Sequence, residues 1–167
     1  MKTAKIIVRV AGGLGNQMFG YAAARRLAIV NDAELVIDPC SGFVRDTVYR
    51  REYALKPFAI AGRMATSGEM LRPFERSRRA FLKQREMAKP FATRRYIWQR
   101  GEAFESGLLE KKVSGTVYIE GVWPSEHYFA DVADRVRADF VPKVAPISRD
   151  QDVVRQMRSS NSIALHA

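Results

Sequence analysis

The sequence is short of cysteine and of long apolar runs, and these absences exclude an internal disulfide and a membrane-spanning helix. One cysteine, Cys40, stands among 167 residues, so no disulfide can form within the chain. No apolar run reaches the ~18 residues that a membrane-spanning helix needs. Residues 1–10 lack the apolar stretch and small-residue cleavage site of a signal peptide. These absences predict a cytoplasmic protein.

Acidic residues are also few, since 28 Lys and Arg face only 18 Asp and Glu, which gives a net charge of +10. Such an excess is typical of proteins that meet nucleic acid, anionic lipid or phosphorylated small molecules. The excess is concentrated in residues 72–100, where only Glu75 and Glu86 are acidic. The basic residues there are Arg72, Arg76, Arg78, Arg79, Lys83, Arg85, Lys89, Arg94, Arg95 and Arg100.

Within this basic segment, residues 73–88 have the pattern of a helix with Phe74, Phe81 and Leu82 on one face. The plainest interpretation is a solvated helix whose aromatic residues enter the core. A second is contact with an anionic membrane surface or an acidic or lipid-linked acceptor. Nucleic-acid binding through arginines interleaved with aromatic residues fits least well.

The amino-terminal residues have the pattern of a βαβ unit. Lys5–Val10 is an apolar, β-branched strand that stops at Gly12 and Gly13. A mostly apolar helix over 17–30 follows, with Asn16 as its predicted N-cap. Residues 34–38 are a second short strand, which Pro39 ends. Because βαβ units build parallel sheets, the sequence predicts an α/β fold.

The rest of the chain predicts a strand at 117–121 and a helix over 125–140 with Ser125 as N-cap. A capping box at Ser148 predicts a further helix to about residue 158. An apolar strand then starts at 162 and runs to the last residue, and buried parallel strands are normally followed by a covering helix. This pattern predicts a truncated chain.

The glycines after the first strand place bare backbone N–H groups at a helix N-terminus, which favours phosphate. A dinucleotide fold would need a third glycine where Met18 stands, although Asp38 ends the second strand as that fold requires. A nucleoside-triphosphate loop would need a lysine and a hydroxyl residue after Gly15, and both are missing. Two interpretations of the glycine turn remain: a loop that binds a sugar nucleotide, and a turn that merely joins the strand to the helix.

Four blocks resemble the glycosyltransferase family 11 α-1,2-fucosyltransferases, in the order of that family. They are Gly12-Gly13-Leu14-Gly15-Asn16-Gln17-Met18-Phe19, Arg51-x-Tyr53-x-Leu55-x-x-Phe58, Gly121-Val122-Trp123-Pro124-Ser125-Glu126-His127-Tyr128-Phe129 and Asn161-Ser162-Ile163-Ala164-Leu165-His166. Together they span almost the whole chain. The sequence departs from the family at Pro124, where glutamine is usual, and it ends before the family's Arg-Arg-Gly-Asp.

The resemblance implies a Rossmann-like N-terminal domain of a two-domain GT-B glycosyltransferase, with a parallel sheet and flanking helices. That domain would cover residues 1–160 and include a basic helical segment over 69–100. Residues 161–167 would start a strand of a missing C-terminal donor-binding domain. A location at the inner face of the membrane, through residues 72–100, is compatible with this assignment.

The implied activity is inverting transfer of fucose from GDP-fucose to the 2-hydroxyl of a galactoside, without a metal or another cofactor. The partners would be the sugar nucleotide and the galactoside acceptor. Without the arginine block, we expect this chain alone not to transfer fucose at a useful rate. The alternatives are a non-catalytic remnant that binds an acceptor or a partner, and an NAD-dependent oxidoreductase.

The resemblance implies donor contacts at Gly13, Leu14, Gly15, Asn16 and Gln17. Two acidic residues are candidates for a general base, Asp38 at a strand end and Glu126 beside Trp123. A second set is assigned either to the acceptor or to the structure, namely Trp123, Ser125, Tyr128 and His166.

A metal-dependent transferase would carry Asp-x-Asp at a strand end, and Asp150-Gln151-Asp152 matches that spacing. The three residues fall in the first turn of the helix predicted after Ser148, where the helix dipole favours acids. The sequence therefore predicts a structural role for them and no metal site.

Overall fold

A computed structural model of the chain describes residues 3–99, 101, 103–145 and 147–163. Its five strands form one parallel sheet in the order β3-β2-β1-β5-β4. The strands are β1 Lys5–Arg9, β2 Glu34–Asp38, β3 Arg63–Met64, β4 Tyr96–Trp98 and β5 Thr116–Glu120. This arrangement, with helices flanking the sheet, confirms the predicted α/β fold and is compatible with a Rossmann-like glycosyltransferase domain.

The α-helices of the described residues are α1 Leu14–Val30, α2 Glu75–Met87, α3 Gly107–Glu110, α4 Ala133–Asp139 and α5 Ser148–Ser159. Helix α1 joins β1 to β2 and packs on both. Its small residues at 22–24 are buried, and a Cβ at Gly20 would lie 3.1 Å from the Gly121 carbonyl oxygen. Small side chains therefore let α1 lie close to the sheet. No α-helix of the described part is long and apolar enough to cross a membrane.

Because side chains alternate along a strand, the sheet has two different faces. The apolar face carries Ile6, Val8, Leu35, Ile37, Ile97, Val117 and Ile119, and it belongs to the main core together with α1. The polar face carries the residues between them, which are Ile7, Arg9, Val36, Asp38, Tyr96, Trp98, Tyr118 and Glu120. Helix α2 contacts β4 and reaches the polar face with Arg79 and Lys83.

Two expectations for the helices are wrong in detail. Helix α1 begins at Leu14, so Gly13 and not Asn16 is its N-cap, and no side chain caps it. Helix α2 lies where predicted, but Phe74 and Phe81 are exposed while Arg79 and Glu86 are buried. The reason is the polar surface beneath this helix, where charged side chains find partners that phenylalanine could not use.

The continuous helix predicted over 125–140 is also wrong. Ser125 does act as an N-cap, since its hydroxyl accepts the His127 N–H, but the segment forms two 3-10 turns before α4 begins. Tyr128 is fully buried and packs edge-on against Trp123, with ring centroids 5.2 Å apart. This buried aromatic pair occupies the segment where the helix was expected, while Phe129 and Phe140 still pack against the core and Val136 is buried.

The helix predicted after Ser148 is confirmed as α5, but its N-cap is Ile147 and it has no side-chain cap. The capping box at Ser148 is therefore wrong. The strand predicted from residue 162 falls mainly on residues 164–167, outside the described residues, and 161–163 have no regular structure.

Candidate functional site

The glycine turn follows β1 at the carboxyl edge of the sheet, where ligands bind in open parallel α/β folds. Gly12 has a φ of +76°, and a Cβ there would lie 2.7 Å from the Asn16 side-chain nitrogen. Glycine at this position is therefore required by the turn itself.

Gly13 and Gly15 have no such requirement. Gly13 has a φ of −69° and a ψ of 173°, which any residue can adopt, and Gly15 lies in the first turn of α1. A Cβ on either residue would meet no other atom within 4 Å. Since glycine in a helix costs about 0.5–1 kcal/mol relative to alanine, Gly15 leaves backbone bare at some cost, whereas Gly13 stands at the N-cap, where glycine is well tolerated.

The N-terminus of α1 is open to an anion. Leu14, Gly15 and Asn16 are exposed, and no side chain caps the helix. The first N–H groups of a helix have no partner within it, and the helix dipole adds positive charge there. The turn can thus accept an oxyanion on its backbone, provided that one approaches the side that Gly13 and Gly15 leave clear.

Gln17 has a structural task. Its buried side-chain amide donates to the Gly12 and Glu52 carbonyl oxygens at 2.9 Å each, and its oxygen accepts the Ala54 N–H at 2.8 Å. These bonds fasten the glycine turn to the loop that holds Tyr53 and Leu55. The second sequence block thereby supports the first. Contact of Gln17 with a donor stays a prediction.

A cavity of about 520 Å³ opens beside the glycine turn, and it is called here the glycine-turn cavity. Its volume is within the range usual for small-molecule sites. It lies between the turn, the end of β4 and the loop after β5. Its walls are Arg9, Ala11, Gly12, Asn16, Trp98, Gln99, Gly101, Glu120, Gly121, Val122 and Pro124.

A second cavity of about 290 Å³, the α2 cavity, lies between the polar face and α2. Its walls are Arg9, Ser41, Val44, Arg45, Glu75, Arg76, Arg79, Ala80, Lys83 and Glu120. Arg9 and Glu120 line both cavities, so this ion pair forms the wall between them.

Glu120, which the sequence did not single out, is the centre of the polar wall. One carboxylate oxygen accepts Arg9 Nη1 at 3.0 Å and Lys83 Nζ at 2.7 Å, and the other accepts the Tyr96 hydroxyl. Although burial raises the pKa of Glu120, the Arg9 charge and the bonds from Lys83 and Tyr96 bring that pKa below its ordinary value. In the sequence, Glu120 could have been noticed only as an acidic residue at the end of an otherwise apolar strand.

Asp38 is fully buried at the end of β2. It accepts the N–H groups of Cys40 and Ser41, the Ser41 hydroxyl, and Arg79 Nη2 at 2.7 Å. A general base must reach the proton of its substrate. In this geometry Asp38 anchors Arg79, and its candidacy as a base stays an untested prediction.

The other predicted residues are spread around the site. Glu126 is exposed on a 3-10 turn and lines neither cavity. Trp123 is buried in the core, and the Tyr128 hydroxyl accepts the Glu105 N–H at 2.6 Å, so both have structural contacts. Ser125 caps its turn. His166 lies outside the described residues.

The outer side of α2 combines aromatic and basic side chains. Phe74 and Phe81 are 74% and 62% exposed, and the Arg85 guanidinium lies 5.7 Å from the Phe81 ring centroid. The predicted contact with a membrane or a lipid-linked glycan would use this side, and it stays a prediction.

Comparison with known proteins adds one relationship. The chain is 26% identical, over 166 residues, to an alpha-1,2-colitosyltransferase from Escherichia coli, and the match covers 96% of this chain and 53% of that protein. The chain thus spans about half the length of this relative. No family model matches the chain, and no solved structure does. The similarity supports a relationship to glycosyltransferases in general, and the parallel α/β sheet is compatible with a domain of such an enzyme.

Proposed function

We propose that this chain is part of a glycosyltransferase and that its glycine turn binds the diphosphate of a sugar nucleotide. The observation that carries the proposal is the pair of glycines at 13 and 15, which the fold does not require and which leave a helix N-terminus bare beside a cavity. The relationship to a glycosyltransferase, over nearly the whole chain, supports the same assignment.

Sugar transfer from a nucleotide releases an anionic diphosphate, so charge must be stabilised as the bond to the sugar breaks. The N-terminus of α1 offers backbone donors and a favourable dipole for that purpose. Arg9 adds a fixed positive charge in the cavity wall, where Ser41 and Glu120 hold its guanidinium. No general base is assigned among the described residues.

For the sugar, we propose fucose from GDP-fucose, transferred with inversion to the 2-hydroxyl of a galactoside. The four blocks that resemble family 11 support this choice. Transfer of colitose is the second candidate, favoured by the name of the relative. Competition of the two sugar nucleotides against bound GDP would rank them.

Replacing Gly15 with alanine tests the donor site. Alanine should stabilise the fold by about 0.5–1 kcal/mol, because glycine is the poorer helix residue and its Cβ meets no atom. The same methyl group would stand where a phosphate approaches, so we expect GDP affinity to fall about tenfold. Calorimetric titration with GDP and denaturant unfolding measure the two effects.

Gly68→Ala is the matched control, since a Cβ at Gly68 also meets nothing within 4 Å and the residue is not part of the glycine turn. It should leave GDP affinity unchanged. If Gly15→Ala binds GDP as the parent chain does, the glycine turn is not the donor site. Binding of NAD in place of GDP would favour an oxidoreductase, and binding of neither would leave only the fold.

A further inference from the structure

The α2 cavity has a marked excess of positive charge. Arg9, Arg45, Arg76, Arg79 and Lys83 line it, against Glu75 and Glu120. The buried Asp38 beneath Arg79 does not cancel this excess. A cavity with this excess of charge favours an anion, because a cluster of cations at a partly desolvated surface is stabilised by a negative partner.

Arg79 gives the cavity a built wall rather than a mobile surface charge. It is 7% exposed, and its Nη2 donates to Asp38, to the Ser41 hydroxyl and to the Met70 carbonyl oxygen at 2.7, 2.7 and 3.1 Å. Its Nε is buried and has no hydrogen-bond partner among the described residues. The three bonds of Nη2 therefore hold the guanidinium in place at the cavity wall.

The rim of the cavity supplies two further guanidinium groups. Arg45 and Arg76 are exposed, and neither forms an ion pair within the described residues. The planar fork of arginine matches the oxygens of phosphate and carboxylate. The volume of about 290 Å³ is at the lower end of small-molecule pockets, which suits one oxyanion group better than a nucleotide.

We propose that the α2 cavity is an oxyanion site, and that it holds a phosphate or carboxylate group carried by the acceptor. The Arg9–Glu120 pair is its common wall with the glycine-turn cavity. An acceptor anchored by its anionic group would therefore lie next to the donor. The assignment to the acceptor rests on the proposed function, whereas the oxyanion site rests on the residues of the cavity alone.

The test is titration of the chain with inorganic phosphate at constant ionic strength, followed by ¹H–¹⁵N correlation spectra. We expect saturable shifts at Ser41, Arg79 and Lys83. Arg76→Gln should weaken this binding about fivefold, because an exposed charge contributes up to about 1 kcal/mol. Arg78→Gln is the matched control on the same helix. It removes the same charge two residues away, outside the cavity wall, and should change the affinity less than about twofold.

Equal weakening by both variants would overturn the site, because diffuse positive charge would then explain the binding. Phosphate shifts confined to Gly13 and Asn16 would overturn it as well. GDP titration of the same samples separates the two proposals. If the parent chain shows the phosphate shifts but does not bind GDP, only the donor site is refuted. If it binds GDP but shows no phosphate shifts at Ser41, Arg79 and Lys83, only the oxyanion site is refuted.

Glucuronate and galactose distinguish the source of the anion. Shifts with glucuronate and phosphate, but not with galactose, would support an acidic sugar as the acceptor. Shifts with phosphate alone would support a phosphorylated acceptor. Equal shifts with neutral galactose would contradict an oxyanion site.

Discussion

The two faces of the sheet are stabilised by different physics. The apolar face is sealed by α1 with branched and small side chains, and its residues belong to one core. The polar face is covered by α2, which turns Arg79 and Lys83 toward Asp38 and Glu120. Both faces of a parallel sheet are usually apolar. The comparison suggests that the first face provides stability and that the second places charge at the carboxyl edge.

Buried ion pairs are poor sources of net stability, since desolvation offsets most of their attraction. Removing one partner is nevertheless costly, because it leaves a charge without compensation. The polar face should therefore tolerate loss of both partners better than loss of one, whereas the apolar face should lose stability with every deletion.

The largest expected effect is that of Asp38→Asn, which keeps the shape of the side chain and leaves the Arg79 charge unpaired. We expect the free energy of unfolding to fall by about 3–5 kcal/mol. In the double variant with Arg79→Met the cost should largely disappear, since the pair is then replaced by neutral groups. Urea unfolding of the parent chain, of Asp38→Asn, of Arg79→Met and of the double variant measures the coupling. Additive costs would show that the two residues act independently and would remove the proposed difference between the faces.

The two faces should differ in how their contributions to the free energy of unfolding depend on acid pH. The pKa of Glu120 in the folded chain is below its ordinary value of 4.5, so its contribution is present above that value and is lost as the pH falls below it. Glu120→Gln should flatten the fall of stability below this pH, while the lowered pKa values of Glu69 and Glu86 leave a remainder.

On the apolar face, Leu27→Ala should cost about 2–5 kcal/mol, because Leu27 is fully buried and its loss leaves a cavity. That cost should be the same at neutral and acid pH. Unfolding measured across this pH range would contradict the comparison if Leu27→Ala altered the pH dependence as much as Glu120→Gln does.

The smallest expected effect is a gain. The Tyr53 hydroxyl is buried beside the apolar core without a partner among the described residues. Tyr53→Phe should stabilise the fold by about 1 kcal/mol. Burial raises the pKa of Tyr53 to about 12, so its contribution, present below pH 10, is lost as the pH rises toward 12. The variant should remove that alkaline loss.

Tyr21 provides the contrast for this prediction. Its hydroxyl donates to Asp139 at 2.7 Å and accepts the Ala61 N–H at 2.8 Å. Tyr21→Phe should therefore destabilise the chain by about 1–3 kcal/mol. Thermal unfolding of both variants is the measurement. A loss of stability in Tyr53→Phe equal to that in Tyr21→Phe would show that the Tyr53 hydroxyl has a partner.

Much of the sheet was predictable because its strands carry strong local patterns. The strands near 5–10, 34–38 and 117–121 were expected within a residue or two, as was α2, whereas α1 begins three residues before its predicted start. Strands β3 and β4 were missed because they have only two and three residues, too few for a periodic signal. Tyr96 and Trp98 instead looked like part of the basic segment.

The candidate site was predictable only where it is made of backbone. Gly12, Gly13 and Gly15 predicted a turn and an open helix N-terminus, and the structure contains both. The Glu120 centre could not be predicted, because its partners Arg9, Lys83 and Tyr96 come from separate strands and a helix. The local helical pattern likewise put Phe81 inward, since it contains no information about the surface on which α2 rests.

The sequence by itself determined the βαβ start and the glycine turn, because each follows from interactions between near neighbours along the chain, and the βαβ pattern in turn predicted a parallel sheet. The tertiary structure alone decided that the sheet has a polar face, that Asp38 anchors Arg79, and that Glu120 lies in the wall between two cavities. These facts depend on charges far apart in the chain, whose pairing becomes favourable only after folding has removed them from water.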